Sequence, residues 1–241
     1  MKLLKFARRL HKISAVIVGI QIVLWMLSGL YMTAVPIDIV RGNHLVKDKH
    51  LVKDNDTQTV DSRQLLPWSE INKLEPNLVK LELSIIRNRP VYNIKSTQNS
   101  YYLDAITGKT LNQLTEIEVL DMVSNIYIGE GEIAQVSLIK DKNVINEIRG
   151  RHLPVWQVTY DDFFESTVYI SATTAQVVAV RSDIWRMFDF LWMLHIMDYD
   201  TRDDFNNPLV IFMASLGMFL SLSGLLLLFN GWRRYGVSFF K

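Results

Sequence analysis

The sequence predicts an α+β membrane protein: two antiparallel transmembrane helices, an interfacial helix, and a domain of helices and short antiparallel strands between the spans. Three observations carry that expectation. Two uncharged apolar runs, 13–35 and 208–229, lie toward opposite ends of the 241-residue chain. Basic side chains gather outside those runs, and the stretch between them is acidic. That stretch also holds a twice-used pattern of alternating residues and turn signals.

The run from Ile13 to Val35 has 23 residues and no charge. As a helix rising 1.5 Å per residue it is about 34 Å long, enough for a hydrocarbon core of ~30 Å. The run from Pro208 to Phe229 has 22 residues and a similar reach. The first run follows a basic stretch, as the apolar region of a signal peptide does. It is longer than such a region and no small-x-small cleavage pattern follows, so it reads as an uncleaved anchor. Residues 1–12 carry five basic side chains and no acid, and residues 230–241 carry three. With a formal net charge of +1 overall, the residues between must sum to −7. The positive-inside rule then places both termini, 1–12 and 230–241, in the cytoplasm. The segment 36–183 falls on the opposite face, which in a bacterium is the periplasmic side of the inner membrane. The spans share a motif, Leu27-Ser28-Gly29-Leu30 and Leu222-Ser223-Gly224-Leu225. Level-matching of antiparallel helices puts Gly19 near Gly224 and Gly29 near Ala214, two places where small residues permit close approach.

Between the spans, Arg89–Leu111 and Leu153–Val180 look alike. Pro-Val-aromatic opens each, followed by an alternating run, a polar gap, a second alternating run ending at Asp104 or Ser171, a turn, and a third short run. Period-2 alternation between turn residues reads as antiparallel strands. Gly108 suits a turn position with positive φ, and Ala175 at the matching place suits it less well. A helix signal precedes each set: Pro67-Trp68-Ser69-Glu70 in the first, and Thr115 with Glu118, at capping-box spacing, in the second. Two units result, about 67–111 and 115–181, with a surface connection at 42–66. Residues 184–199 are apolar but interrupted by Arg186 and Asp189, too short and too charged to span. They read as an interfacial helix, joined to the second span through a polar loop in which Asn207 caps and Pro208 opens the helix.

Composition removes several classes of function. The chain has no cysteine, which excludes disulfides, thiolate metal sites, iron–sulfur clusters and a cysteine nucleophile. The net positive charge sits at the two ends and the stretch between them is net negative, so no basic face is read for nucleic acid. No nucleophilic triad, carboxylate pair, P-loop or dinucleotide fingerprint is visible, and no catalytic residue is assigned. The cluster Asp198, Asp200, Asp203 and Asp204 has Arg202 where a calcium loop needs Asp or Asn, followed by Gly.

The segment YYLDAITGKTL resembles the PepSY domain, whose hallmark is a strand followed by Asp-Ala-x-Thr-Gly-Lys. Asp104, Gly108 and Lys109 match it; the second copy has Ser171, Ala175 and Gln176 instead. The order of RRLHK, first span, repeat region, LWMLHIMDY and LSGLLLLFNGWRR resembles the PepSY-associated transmembrane family over nearly the whole chain. Larger relatives have four spans, and some are proposed ferric-siderophore reductases carrying b-type haem on membrane histidines. The resemblance implies a short, two-span member acting as an accessory or electron-transfer component, haem-linked, in periplasmic iron or flavin redox chemistry. Two other roles stay open: a non-redox module that docks or restrains a periplasmic protein partner, and a structural subunit of a membrane complex.

His11 and His195 stand in the segments that carry this resemblance and are the candidate ligands of haem b. They belong to opposite faces of the bilayer, so one iron cannot take both, and each needs a partner from a second copy, another membrane subunit or a methionine such as Met193 or Met197. Each also has a plainer role. His195 would be a structural histidine held by Asp198, three residues on, and His11 a cation beside lipid phosphates. His44, His50 and His152 lie in the polar region and read as solvated, with no third ligand at zinc spacing.

Overall fold

The computed structural model describes residues 2–47, 60–97, 100–141 and 146–235. The chain forms two compact units: Met1–Ile37 with Arg186–Lys241, and Asp38–Trp185.

The first helix, α1, runs from Lys2 to Ala34 and takes in the basic stretch as well as the apolar run. Its buried residues Ser14, Val18, Gln21 and Ser28 follow helical spacing along one side. The short helix α2, Ile37–Val40, leads into the second unit.

That unit holds two antiparallel sheets. A seven-residue helix, α3, covers Trp68–Leu74, and the strands β1 (Leu78–Ile86), β2 (Arg89–Ser96) and β3 (Ser100–Asp104) follow in spatial order β1-β2-β3. Ile71 of α3 packs with Tyr92, Ile94, Leu103 and Ala105. Helix α4, Glu116–Ile126, opens with the capping box: Thr115 and Glu118 each bond the other's backbone N–H. Strands β4 (Ile133–Ile139), β5 (Val155–Tyr160), β6 (Thr167–Ser171) and β7 (Val177–Arg181) form the second sheet in sequence order. Val119, Val123 and Ile126 of α4 pack on Val158, Val168, Ile170 and Val180.

The two repeats within this unit share their turn chemistry bond for bond. After β3, Gly108 N–H donates to Asp104 O, Asp104 N–H to Lys109 O, and Ala105 N–H to Pro90 O. After β6, Ala175 N–H donates to Ser171 O, Ser171 N–H to Gln176 O, and Ala172 N–H to Pro154 O. Gly108 has φ 70° and Ala175 φ 62°, so the second copy holds a Cβ in the left-handed region that glycine occupies without cost in the first. Each sheet also begins with a strand, β1 or β4, that the sequence reading leaves out. Each pairs antiparallel with the Pro-Val-aromatic strand.

Helix α5, Asp183–Ile196, crosses the boundary between the units, and α6, Pro208–Tyr235, is the second long apolar helix. Both α1 and α6 are long and apolar enough to cross a membrane, over His11–Ala34 and Pro208–Arg233. The architecture is α+β: two such helices and two antiparallel sheets.

Candidate functional site: two histidine cradles

Within the unit built from α1, α6 and the end of α5, two histidines each meet a serine of a neighbouring helix. His11, on α1, lies with its Nδ1 2.8 Å from the hydroxyl of Ser223 on α6. A Cβ added at Gly224 would meet Cε1 of the same ring at 3.3 Å. His195, near the end of α5, lies with its Nδ1 2.8 Å from the hydroxyl of Ser28 on α1. A Cβ at Gly29 would meet its Cε1 at 3.9 Å. Each Leu-Ser-Gly-Leu motif therefore holds an imidazole: the serine faces a ring nitrogen, and the glycine leaves space for the ring.

This corrects the sequence reading of the glycines. Gly29 faces His195 rather than Ala214, and a Cβ at Gly19 would meet nothing within 4 Å. Gly224 faces His11 and Gly217 faces Val18, which shifts the partners of α1 about eight residues along α6 from the expected pairing. Both helices continue beyond their apolar runs, so the ends of the runs locate the spans but not the register between them.

The structural partner expected for His195 also changes. Asp198 does not hold it; its carboxylate is taken up by its own loop. It accepts bonds from the N–H groups of Asp200, Thr201, Asp203 and Asp204 and from the Thr201 hydroxyl. These bonds, that of the Thr201 hydroxyl foremost, hold the Asp198 carboxyl far below the ordinary carboxylate range. The other acids of the cluster supply N–H groups to this cap. The loop is fixed further by an ion pair between Arg202 and Asp189 and by Trp192 Nε1–H donating to Arg202 O at 3.1 Å. Asn207 caps α6 by accepting from Val210 N–H, and its amide donates to Ile196 O at 2.9 Å.

The backbone beside His195 is anchored as well. Trp25 Nε1–H donates to the His195 carbonyl at 2.8 Å. The end of α5 thus packs beside α1 at Ser28, six residues before α1 ends, rather than beyond its end. His11 and Ser28 are 17 residues apart on α1, roughly 26 Å along the axis, so the two cradles are separate sites. Neither ring has a hydrogen bond to Nε2 among the described residues. Between the two levels sits a residue that the sequence reading passed over. Gln21 is buried, and its Nε2 has no partner among the described residues. An amide inside an apolar run is the signal that marks such a position.

His44 and His152 are exposed, and His50 lies outside the described residues. In the other unit, a cavity of about 280 Å³ is lined by Asn93, Tyr101, Tyr102, Gln113 and His152 among others. Among the described residues no group of three or more His, Asp or Glu side chains is arranged to hold a metal ion. Comparison with family models, with curated proteins and with solved structures finds no match for this chain.

Proposed function

We propose that this chain is an inner-membrane-anchored electron-transfer or accessory component, with both termini cytoplasmic and the two-sheet unit periplasmic. In this reading His195 and His11 are ligands of haem b, and the protein works as a homodimer or with another membrane subunit. The observation that carries it is the pair of cradles: two imidazoles with Nδ1 engaged by a serine hydroxyl and, among the described residues, no hydrogen bond to Nε2. Metal-ligating histidines characteristically donate their other ring N–H to an acceptor, and a serine hydroxyl facing Nδ1 can serve as one, which supports ligation through Nε2.

Haem, when bound, supplies a one-electron iron couple. The chain's part is to orient each imidazole, to keep the ring packed against a helix, and to set the two positions near opposite ends of α1. With one imidazole per site per chain, a haem held there would take a second ligand from elsewhere, and a two-fold axis would supply it as the same histidine of a second copy. Phe212, Met218, Phe219 and Leu222 of α6 are exposed, an apolar surface suited to lipid or to a second copy.

The visible spectrum of the purified protein tests this reading. It predicts a Soret band and sharp reduced-state bands, diminished in His195→Ala at unchanged protein yield. A colourless preparation that stays colourless after haem supplementation contradicts it. For orientation, reporter fusions after Lys241 and in the turn at Gly108 should report cytoplasm and periplasm respectively; the reverse pattern contradicts the placement.

The cavity favours a second reading, a periplasmic module that docks a partner protein. Its side chains are largely uncharged hydrogen-bonding groups, with two tyrosines and His152, chemistry suited to a peptide segment. A colourless protein that retains a periplasmic partner, lost in Tyr102→Ala, is the outcome this reading expects.

A further inference from the structure

We propose that Ser28 and Ser223 are positioning residues that hold His195 and His11 in the Nδ1–H tautomer, leaving each Nε2 lone pair open for coordination. The proposal rests on the haem reading only for what Nε2 binds. The tautomer itself follows from counting protons.

A serine hydroxyl has one proton to donate and two lone pairs with which to accept. Ser28 Oγ lies 2.7 Å from Leu24 O and 3.1 Å from Trp25 O. Carbonyl oxygens only accept, so the hydroxyl proton is committed to the backbone of its own helix. The remaining neighbour, Nδ1 of His195 at 2.8 Å, must then donate. The same count holds at the other site. Ser223 Oγ lies 2.9 Å from Leu220 O, and Nδ1 of His11 faces it at 2.8 Å. In an apolar segment a serine has few alternatives to the carbonyl three or four residues back, so the helix itself aims the hydroxyl. A neutral imidazole has one N–H, and placing it on Nδ1 leaves Nε2 as the basic nitrogen.

The motif does this twice with different helices. In one case α6 holds a ring from α1; in the other α1 holds a ring from α5. Serine supplies the acceptor and the following glycine lets the ring lie close to the helix surface. A free imidazole in water favours the opposite tautomer, with the proton on Nε2, so each cradle selects the form that coordinates through Nε2.

The test uses haem-free protein labelled with 15N in its histidine rings, at a pH where the rings are neutral. His11→Gln and His195→Gln assign the two signals. Both rings should show a pyrrole-type Nδ1 and a pyridine-type Nε2. Ser28→Ala should move the His195 signal alone toward the Nε2–H form, Ser223→Ala that of His11 alone, and Ser→Thr should restore each. A ring carrying its proton on Nε2 in the unaltered protein overturns the proposal, as does an Nδ1–H ring indifferent to loss of its serine. Should an alanine variant fail to fold, the unaltered protein and the threonine variant still decide. Nδ1–H rings in a protein that never takes up haem contradict the haem reading alone. Nε2–H rings in a protein that does take it up contradict the cradle alone.

Discussion

The two cradles use the same pair of residues and differ in what stands behind them. At His195 the ring is held by Ser28, the carbonyl of the same residue by Trp25, the next carbonyl by Asn207, and the following loop by Asp198. At His11 the corresponding set is one hydroxyl, that of Ser223, with Gly224 against the ring. A histidine near the end of a helix needs its backbone fixed, because the last carbonyls of the helix have no partner within it. One inside a continuous helix already has its backbone bonded. The lesson is that the motif supplies the orientation of the ring and the surrounding elements supply its position.

The largest effect expected from this difference falls on Asp198. Asp198→Ala removes the acceptor of four backbone N–H groups and one hydroxyl, and so releases the loop joining α5 to α6. It should lower the Tm more than any other variant named here and broaden the 15N signals of His195 while leaving those of His11 in place. Equal disturbance of both histidines would break the comparison. The pH dependence has a definite sign. The folded carboxyl titrates below its unfolded value of about 3.9, so its contribution is complete above that value. It is lost as pH falls from about 4 toward the lower folded value. Thermal unfolding followed from pH 6 downward should show this loss, and Asp198→Asn should be less sensitive to pH across the same window.

Trp25 comes next. Trp25→Phe removes the bond to the His195 carbonyl but keeps most of the ring, and should cost about 1 kcal/mol. Trp25→Ala also leaves a gap where a half-buried indole stood, and about 2 kcal/mol is expected. Denaturant titration of the detergent-solubilised protein reads both, and Ala costing no more than Phe would remove packing from the account.

The sequence already contained much of this unit. The two uncharged runs, the Asn207 cap with Pro208 opening α6, and the apolar segment that becomes α5 follow from local chemistry. The turns after β3 and β6 were readable because Gly108 and the repeated Pro-Val-aromatic opening fix their offsets. Strand β1 carries Leu81 and Leu83 in alternation, but it precedes that opening, and β4 has apolar residues toward both faces. Their pairing is a non-local matter that a repeat search centred on the turn does not reach. The histidine partners were hidden for a related reason. The shared motif directs attention to its glycines for helix packing, whereas the hydroxyls of Ser28 and Ser223 are what meet the histidines. Helix level was read from the ends of apolar runs, which locate a span but not its register. A serine-glycine pair recurring in two apolar helices, in a chain with a histidine beside each span, was the available signal.

The smallest effect separates the glycines. Gly224→Ala places a Cβ 3.3 Å from the His11 ring, tight enough that the ring must shift, and about 1 kcal/mol of destabilisation is expected. Gly29→Ala meets the His195 ring at 3.9 Å, an ordinary contact, and should be near neutral. Parallel thermal melts and the histidine 15N shifts of the two variants check the ranking. A costly Gly29→Ala beside a silent Gly224→Ala would reverse it.

The central claim is that the chain carries two haem positions, each built on one histidine. Haem content per chain, measured on the unaltered protein and on His11→Ala, His195→Ala and the double variant, tests it most directly. With each iron shared by two copies, the account predicts one haem per chain in the unaltered dimer, half in each single variant and none in the double variant. Haem retained in full by the double variant, or absent from the unaltered protein after supplementation, would contradict it.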